Sequence, residues 1–298
     1  VSQVQAEPAA RRPIRELPDE LISQIAAGEV VERPASVVRE LVDNALDAGA
    51  TQITVRLLAG GVRLIAVEDD GGGIPRAELP VALKRHATSK IANLHDLESV
   101  APWAFAARRW PPSTRCPSCP CCRAPTATPA PILLDGRSGE LRPAARSTGT
   151  TVEVKELFFS TPARRKFLKT DATELAHCIE AVRRHALARP DVGFAIWHEG
   201  KLVEQWRATK GRTRALAGAW PTCWARTFWP SSIAVDHRAG PLRVSGRAGL
   251  PDAARSRADQ QFAYVNGRFV RDKVLTHAAR SAYEDVLHGQ RQPVYALY

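Results

Sequence analysis

The run PASVVRELVDNALDAGA, residues 34–50, has both of its ends written into it. Pro34 suits a first helical turn, where its missing N–H is no loss, and Gly49 suits the position just past the last turn. Between them Val37, Val38, Leu41, Val42, Ala45 and Leu46 recur at helical spacing as one apolar stripe, while Glu40, Asp43, Asn44 and Asp47 gather on the other side. A helix marked in this way must lay its stripe on a second layer. The residues that follow supply one: TQITVRLL, AGG and VRLIAVED read as strand, turn and strand, and DDGGGI closes the second strand. A further short helix is expected just ahead of Pro34, within DELISQIAAGEVVER. The class is α+β, with helices laid on a sheet.

A chain of 298 residues can bury a sizeable core and divides most naturally into two domains. Its hydrophobic fraction of 44% and charged fraction of 24% are those of a soluble protein. No apolar run approaches the roughly 18 residues of a membrane span. The opening VSQVQAEPAARRP lacks a cationic start followed by an apolar core, so no secretory signal is expected; a tail disordered to about Pro13 and a cytoplasmic location are. The net charge of +11 and pI near 9.8 favour a polyanionic partner. Arginine-rich composition also follows from GC-rich coding, so charge alone does not decide this.

Two features carry chemistry. Glu40 and Asn44, four residues apart on one helix face, can act on one ligand: a carboxylate can orient and deprotonate water, and an amide oxygen beside it can ligate a hard cation. A solvated polar face has the same spacing. Asp69 ends a strand before Gly71, Gly72 and Gly73, where a carboxylate can accept from the amino group of a base and glycines let backbone approach a ligand. A glycine-rich turn reads the same way. His86 and His177 have no companions at metal-ligand spacing and are read as structural.

Five motifs in order, QIAAGEVVERPASVVRELVDNALDAGAT, VEDDGGGI, KRHATSKI, GTTVEVKELFFSTPARRKFLKT and YVNGRFVRD, resemble signatures of the MutL family of DNA mismatch-repair proteins, from about Ile14 to Tyr298. The resemblance implies a GHKL-type ATPase sandwich of helices on a mixed sheet over residues 14–207, then a partial transducer domain of ribosomal S-five-like fold over residues 208–298. It implies ATP and magnesium as cofactors, with Glu40 as general base, Asn44 as magnesium ligand and Asp69 reading the adenine amino group. Gly71 and Gly73 would make room for the nucleotide, Thr88 and Ser89 would lie in a loop near it, and Thr150 would assist from a neighbouring strand. No P-loop sequence is present, in keeping with that class. Arg268, Arg271 and Lys273 fall where family members carry basic residues implicated in DNA binding; a solvated basic face is the other reading. The implied partners are DNA, a mismatch-recognition protein, a strand-incision endonuclease and a second copy of the chain in a homodimer. The implied role is ATP-driven coupling of mismatch recognition to strand incision.

One stretch departs from the pattern. Between LESV and ILLDGRSGEL the family carries a glycine-rich GFRGEAL lid segment, whereas residues 101–131 read APWAFAARRWPPSTRCPSCPCCRAPTATPAP, without helical or strand period. Tryptophan and cysteine codons read one base back, after a preceding C, become leucine codons. With GC-rich codons, Pro102 to Ser113 then reads Leu-Gly-Phe-Arg-Gly-Glu-Ala-Leu-Ala-Ser-Ile, which contains the lid motif. The same operation turns Ala219 to Ser232 into Leu-Ala-Asp-Val-Leu-Gly-Glu-Asp-Phe-Leu-Ala. Two compensated frameshifts are therefore expected, and Cys116, Cys119, Cys121 and Cys122 are read as out-of-frame residues, not as an evolved zinc site. SIAVDH, PLRVSGRAG and QFAYVNGRFVRD read as strands, with Asn266-Gly267 an apt hairpin turn, and DKVLTHAARSAYEDVLHG as a helix. The closing VYALY falls in an expected strand, beyond which the family has a lysine that reaches the γ-phosphate and a dimerisation domain. Val1 and the lack of methionine point to a non-ATG start or a trimmed sequence. A degenerate, non-hydrolytic fragment that at most binds nucleotide or DNA is the alternative function.

Overall fold

The structure, a computed structural model, describes residues 15–16, 33–82, 87–88, 114–119, 132–135, 140–143, 149–159, 162–209, 228, 230–287 and 291–298. They fall into two compact units, one of residues 33–71 and 168–298, the other of residues 1–32 and 72–167. The expected tail, the short helix ahead of Pro34, His86, Ser89 and most of the two out-of-frame stretches lie outside the described residues.

The first of these units is built on helix α1, Pro34–Asp47. Pro34 stands in the first turn as expected, and Gly49 takes the left-handed conformation at φ 75°. The apolar stripe is buried throughout, Val38 and Val42 completely. It lies on strands β2, Gln52–Leu58, and β3, Leu64–Asp69, which pair antiparallel from Ile53↔Asp69 to Leu58↔Leu64. The AGG turn between them is a single 3-10 turn, Ala59–Gly61. Gly60 there has φ 61°, and a Cβ on it would lie 2.5 Å from the Asp171 carbonyl oxygen. Only glycine lets this turn press on the start of a second long helix.

After α2, Leu79–Ala82, which belongs to the other unit, that second long helix is α3, Asp171–Ala188. Thr170 caps it, its hydroxyl accepting from the Thr173 N–H. α3 packs on α1 and on β9, Gly193–His198, which runs parallel to β2. Strand β10, Lys201–Trp206, returns antiparallel to β9, so the strands of this unit run β10-β9-β2-β3. Cys178 on α3 is fully buried, and burial, then the nearby Glu174 carboxylate, pushes its thiol up to about 12.

The same unit holds a second sheet. Strands β11, Ser232–Ala239, and β12, Leu242–Gly249, form a hairpin; β13, Gln261–Val265, and β14, Arg268–Val270, form another around the expected Asn266-Gly267 turn, where both residues have positive φ. Strand β15, Tyr295–Leu297, lies between β12 and β13, antiparallel to the first and parallel to the second. The order is β11-β12-β15-β13-β14. One face of this sheet meets the last turn of α3: Leu187 is buried with Phe228, Phe262, Tyr264, Val294 and Ala296. Helix α4, Lys273–Ser281, is shorter than the sequence DKVLTHAARSAYEDVLHG promises. Beyond Ser281 the chain makes isolated turns, and Tyr283 donates its hydroxyl to the Gly249 carbonyl at 2.7 Å, a bond to the sheet in place of a further helical turn.

The other unit pairs two short strands, β1, Arg15–Glu16, with β4, Ala87–Thr88. It also holds an antiparallel set in the order β8-β5-β6-β7: β5, Thr114–Cys119; β6, Ile132–Asp135; β7, Leu141–Pro143; β8, Thr150–Lys155. Leu79 and Leu134 are its buried centre, with Ile74, Ile132 and Val152 packed around them. Strand β5 forms within a stretch whose sequence carries no strand period of its own. Its neighbours β6 and β8 offer rows of backbone donors and acceptors that capture any extended segment. The register shifts between Cys116 and Cys119, a span that includes Pro117, which has no N–H to give a ladder.

Candidate active site

Helix α1 carries two polar rails, each with four-residue spacing. On one, Glu40 is half-buried, with Oε1 shielded from bulk water, and Asn44 is exposed. On the other, Asp43 is turned to α3, where its Oδ1 lies 2.9 Å from Nε2 of His185. A uniformly solvated polar face does not describe this helix, because Asp43 is engaged by a neighbouring helix.

Asp69 ends β3 with only 7% of its surface exposed. Its Oδ1 accepts from the Gly71 N–H at 2.9 Å. A Cβ on Gly71 would sit 2.8 Å from the Ala48 carbonyl oxygen and 3.0 Å from Asp69 Oδ1. The space that Gly71 leaves is therefore taken by the end of α1 and by the Asp69 carboxylate, and this close crossing sets Asp69 beside the helix that bears Glu40 and Asn44. The adjoining Asp70 fixes the same corner, accepting from the Thr51 and Gln52 N–H groups at 2.7 and 2.8 Å and from the Thr51 hydroxyl. Burial pushes its carboxyl up, but the three hydrogen bonds outweigh burial and hold it below the usual carboxylate value.

The remaining expected residues belong to the other unit. Gly73 is buried with φ 69°, and Thr150 opens β8 with 6% exposure. Thr88 is the second residue of β4, paired through its backbone with Arg15. Ser89 lies outside the described residues.

Arg268, Arg271 and Lys273 are not equivalent. Arg268 is half-buried: burial lowers its pKa, opposed by the carboxylates of Asp43 and Asp47. Arg271 is exposed, with its guanidinium 5.9 Å from the Phe269 ring, and Lys273 is exposed at the start of α4. The described residues hold no cluster of three His, Cys, Asp or Glu side chains that could cage a metal. An exposed amide oxygen on α1 suits magnesium, which keeps most of its waters and takes few protein ligands. No described helix is long and apolar enough to cross a membrane.

Sequence reasoning missed Asp43, Asp70 and His185. Asp70 had a local signal, a second carboxylate ahead of the glycines. Asp43 and His185 had none, being 142 residues apart.

Residues 32–99 match the family model of histidine kinase-, DNA gyrase B- and HSP90-like ATPases, and residues 222–298 match that of the DNA mismatch repair protein C-terminal domain. The chain is 56% identical over 97% of its length to the DNA mismatch repair protein MutL of Ralstonia nicotianae, and 48% identical over 96% to that of Herminiimonas arsenicoxydans. It covers 44% and 47% of those relatives, so it spans about half the length of the curated proteins it matches. Among solved structures it is similar to the Aquifex aeolicus MutL ATPase domain complexed with ADP, with a TM-score of 0.58 and 22% identity over 90% of this chain and 92% of that one. It is also similar to the N-terminal domain of a DNA repair protein, with a TM-score of 0.69 and 23% identity over 94% of this chain and 88% of that one. Fold and motifs together define a GHKL-type ATPase domain of α+β class, followed by a transducer-like sheet. Within that class the chain belongs to the MutL family of DNA mismatch-repair proteins.

Proposed function

We propose that this chain binds magnesium and ATP through α1 and the β3 end, and that Glu40 activates the water that attacks the γ-phosphate. The observation that carries the reading is the Gly71 crossing, which packs the Asp69 carboxylate against the end of the helix bearing Glu40 and Asn44. Asp69, whose Oδ1 holds the Gly71 N–H, is the carboxylate that accepts from an adenine amino group in this reading. Asn44 offers its amide oxygen to magnesium, which neutralises phosphate charge when bound. Glu40, half-buried on the same face, orients a water and takes its proton. The family resemblance assigns Gly73, Thr88, Ser89 and Thr150 to the nucleotide as well, in an ATPase domain that runs to about residue 207 with the transducer beyond it.

The role is ATP-driven coupling in DNA mismatch repair between mismatch recognition and strand incision, in the cytoplasm. DNA, a mismatch-recognition protein, an incising endonuclease and a second copy of the chain are the partners. Arg271 and Lys273 offer phosphate contacts that position the duplex without reading bases. Arg268 contributes less, since Asp43 and Asp47 draw on its charge. Calorimetry with ATP and magnesium, followed by a turnover assay, tests the reading. Glu40→Ala should abolish turnover while leaving ATP affinity within about threefold of the parent, because the base acts on water and not on the nucleotide. Turnover unaffected by Glu40→Ala would remove Glu40 from the site.

A further inference from the structure

The acidic rail of α1 that faces away from the proposed ligand is met by basic side chains from two other elements. Nε2 of His185 lies 2.9 Å from Asp43 Oδ1, and Nδ1 of the same ring lies 2.8 Å from the Ala181 carbonyl oxygen. The ring thus bridges the Asp43 carboxylate on α1 and a carbonyl one turn back on α3. His185 is 13% exposed and Asp43 33%. The charges of Arg268 on β14 and of Arg189 at the end of α3, the latter paired with Asp191 at 2.7 Å, are within electrostatic reach of this rail.

The same turn of α3 is also gripped by the C-terminal sheet. Tyr264 donates its hydroxyl to the Arg184 carbonyl at 2.9 Å, and Tyr298 donates to the Leu187 carbonyl at 2.8 Å. The Arg184 guanidinium lies 4.3 Å from the Phe269 ring centre. Carbonyls of a last helical turn lack intrahelical partners or share them, so phenols from the sheet bind there firmly.

We propose that His185 is a positioning residue for the nucleotide site. It holds the carboxylate of Asp43, one residue before Asn44 and three after Glu40, and so keeps the Glu40–Asn44 rail in register with the sheet that α3 carries. It also occupies a negative charge that would otherwise be free to swing toward the metal-binding face. This rests on the reading of Asn44 as the magnesium ligand.

The test compares the full chain with His185→Ala, His185→Gln, Asp43→Asn and the His185→Ala/Asp43→Asn pair. Amide hydrogen exchange reads α1 directly. His185→Ala should speed exchange at residues 44–48 about tenfold, the scale of a coupled side-chain pair, while β2 and β3 exchange as in the parent. His185→Gln keeps one N–H for Asp43 and should restore most of the protection. The double variant should be no worse than either single one. Unchanged exchange at residues 44–48 in His185→Ala overturns the proposal; if that variant does not fold, unchanged exchange in Asp43→Asn does so. Nucleotide titration supplies the second readout. His185→Ala should weaken ATP binding with magnesium about tenfold and leave binding in EDTA unchanged, whereas an equal loss in both would show general loosening and overturn the proposal. A parent chain that binds no ATP in either buffer overturns the nucleotide reading instead, and exchange at α1 then decides the role of His185.

Discussion

At the scale of single residues, the corner made by Asp69, Asp70 and Gly71 shows how neighbouring positions take different work. Asp69 points one oxygen at the Gly71 N–H and is almost wholly buried, so replacing its acceptor by an amide presents a donor where an acceptor is needed. Asp69→Asn should weaken ATP binding by about 1–3 kcal/mol, as read by calorimetry. Asp70 acts on stability. Its folded pKa is below the ordinary 3.8, so its contribution is present above that pH and is lost as pH falls through the lower folded value. Asp70→Asn should therefore flatten the acid limb of the unfolding curve below about pH 4, leaving a smaller difference between neutral and acid stability. An acid limb identical to the parent's would show that the three hydrogen bonds to Asp70 do not bear on folding. The glycines after Asp69 were legible as a place of close approach. What approaches Gly71 was not, since Ala48 arrives there only when α1 has been packed on the sheet.

Among the elements, α1 was legible nearly residue by residue, because its apolar spacing, Pro34 and Gly49 all argue for the same boundaries. The hairpins were legible too, from alternation and the Asn266-Gly267 turn. β5 was not, because a central strand takes its shape from the ladders on either side of it, and its sequence carries no period of its own. Phe228 is 4% exposed and packs with Leu187, Phe262, Tyr264, Val294 and Ala296. Phe228→Ala should destabilise the protein by about 3–5 kcal/mol, read from the denaturant midpoint at unchanged slope. A loss under about 1 kcal/mol would mean that this core closes without it.

On the scale of the whole molecule, charge and sheet order matter most. With a net charge of +11 and exposed Arg271 and Lys273, duplex DNA affinity should fall steeply with salt and depend little on sequence. Replacing Arg271 and Lys273 by Glu should lower the salt slope by about one for each DNA phosphate they no longer neutralise, whereas Arg268→Glu should act mainly on folding. An unchanged slope in the Arg271/Lys273 variant would move DNA elsewhere on the surface. The fold class could be read from the order of elements and motifs, whereas spacing put Glu40 and Asn44 on one helix face and Asp69 at a strand end without giving them roles, which come from the family resemblance. The grip of α3 on both α1 and the C-terminal sheet could not be read, because it joins side chains that only packing brings together. Sheet order is of that second kind. Since β15 lies between β12 and β13, synthesis delivers two finished hairpins before it delivers the strand that joins them. Until residues 295–297 emerge, the lane between the hairpins exposes two bare edges of unpaired N–H and C=O groups. A second molecule carries the same Tyr-Ala-Leu run, so the open lane is where two copies of this sheet could exchange strands, and the tether that gives the chain's own strand the higher effective concentration is what favours the proper pairing.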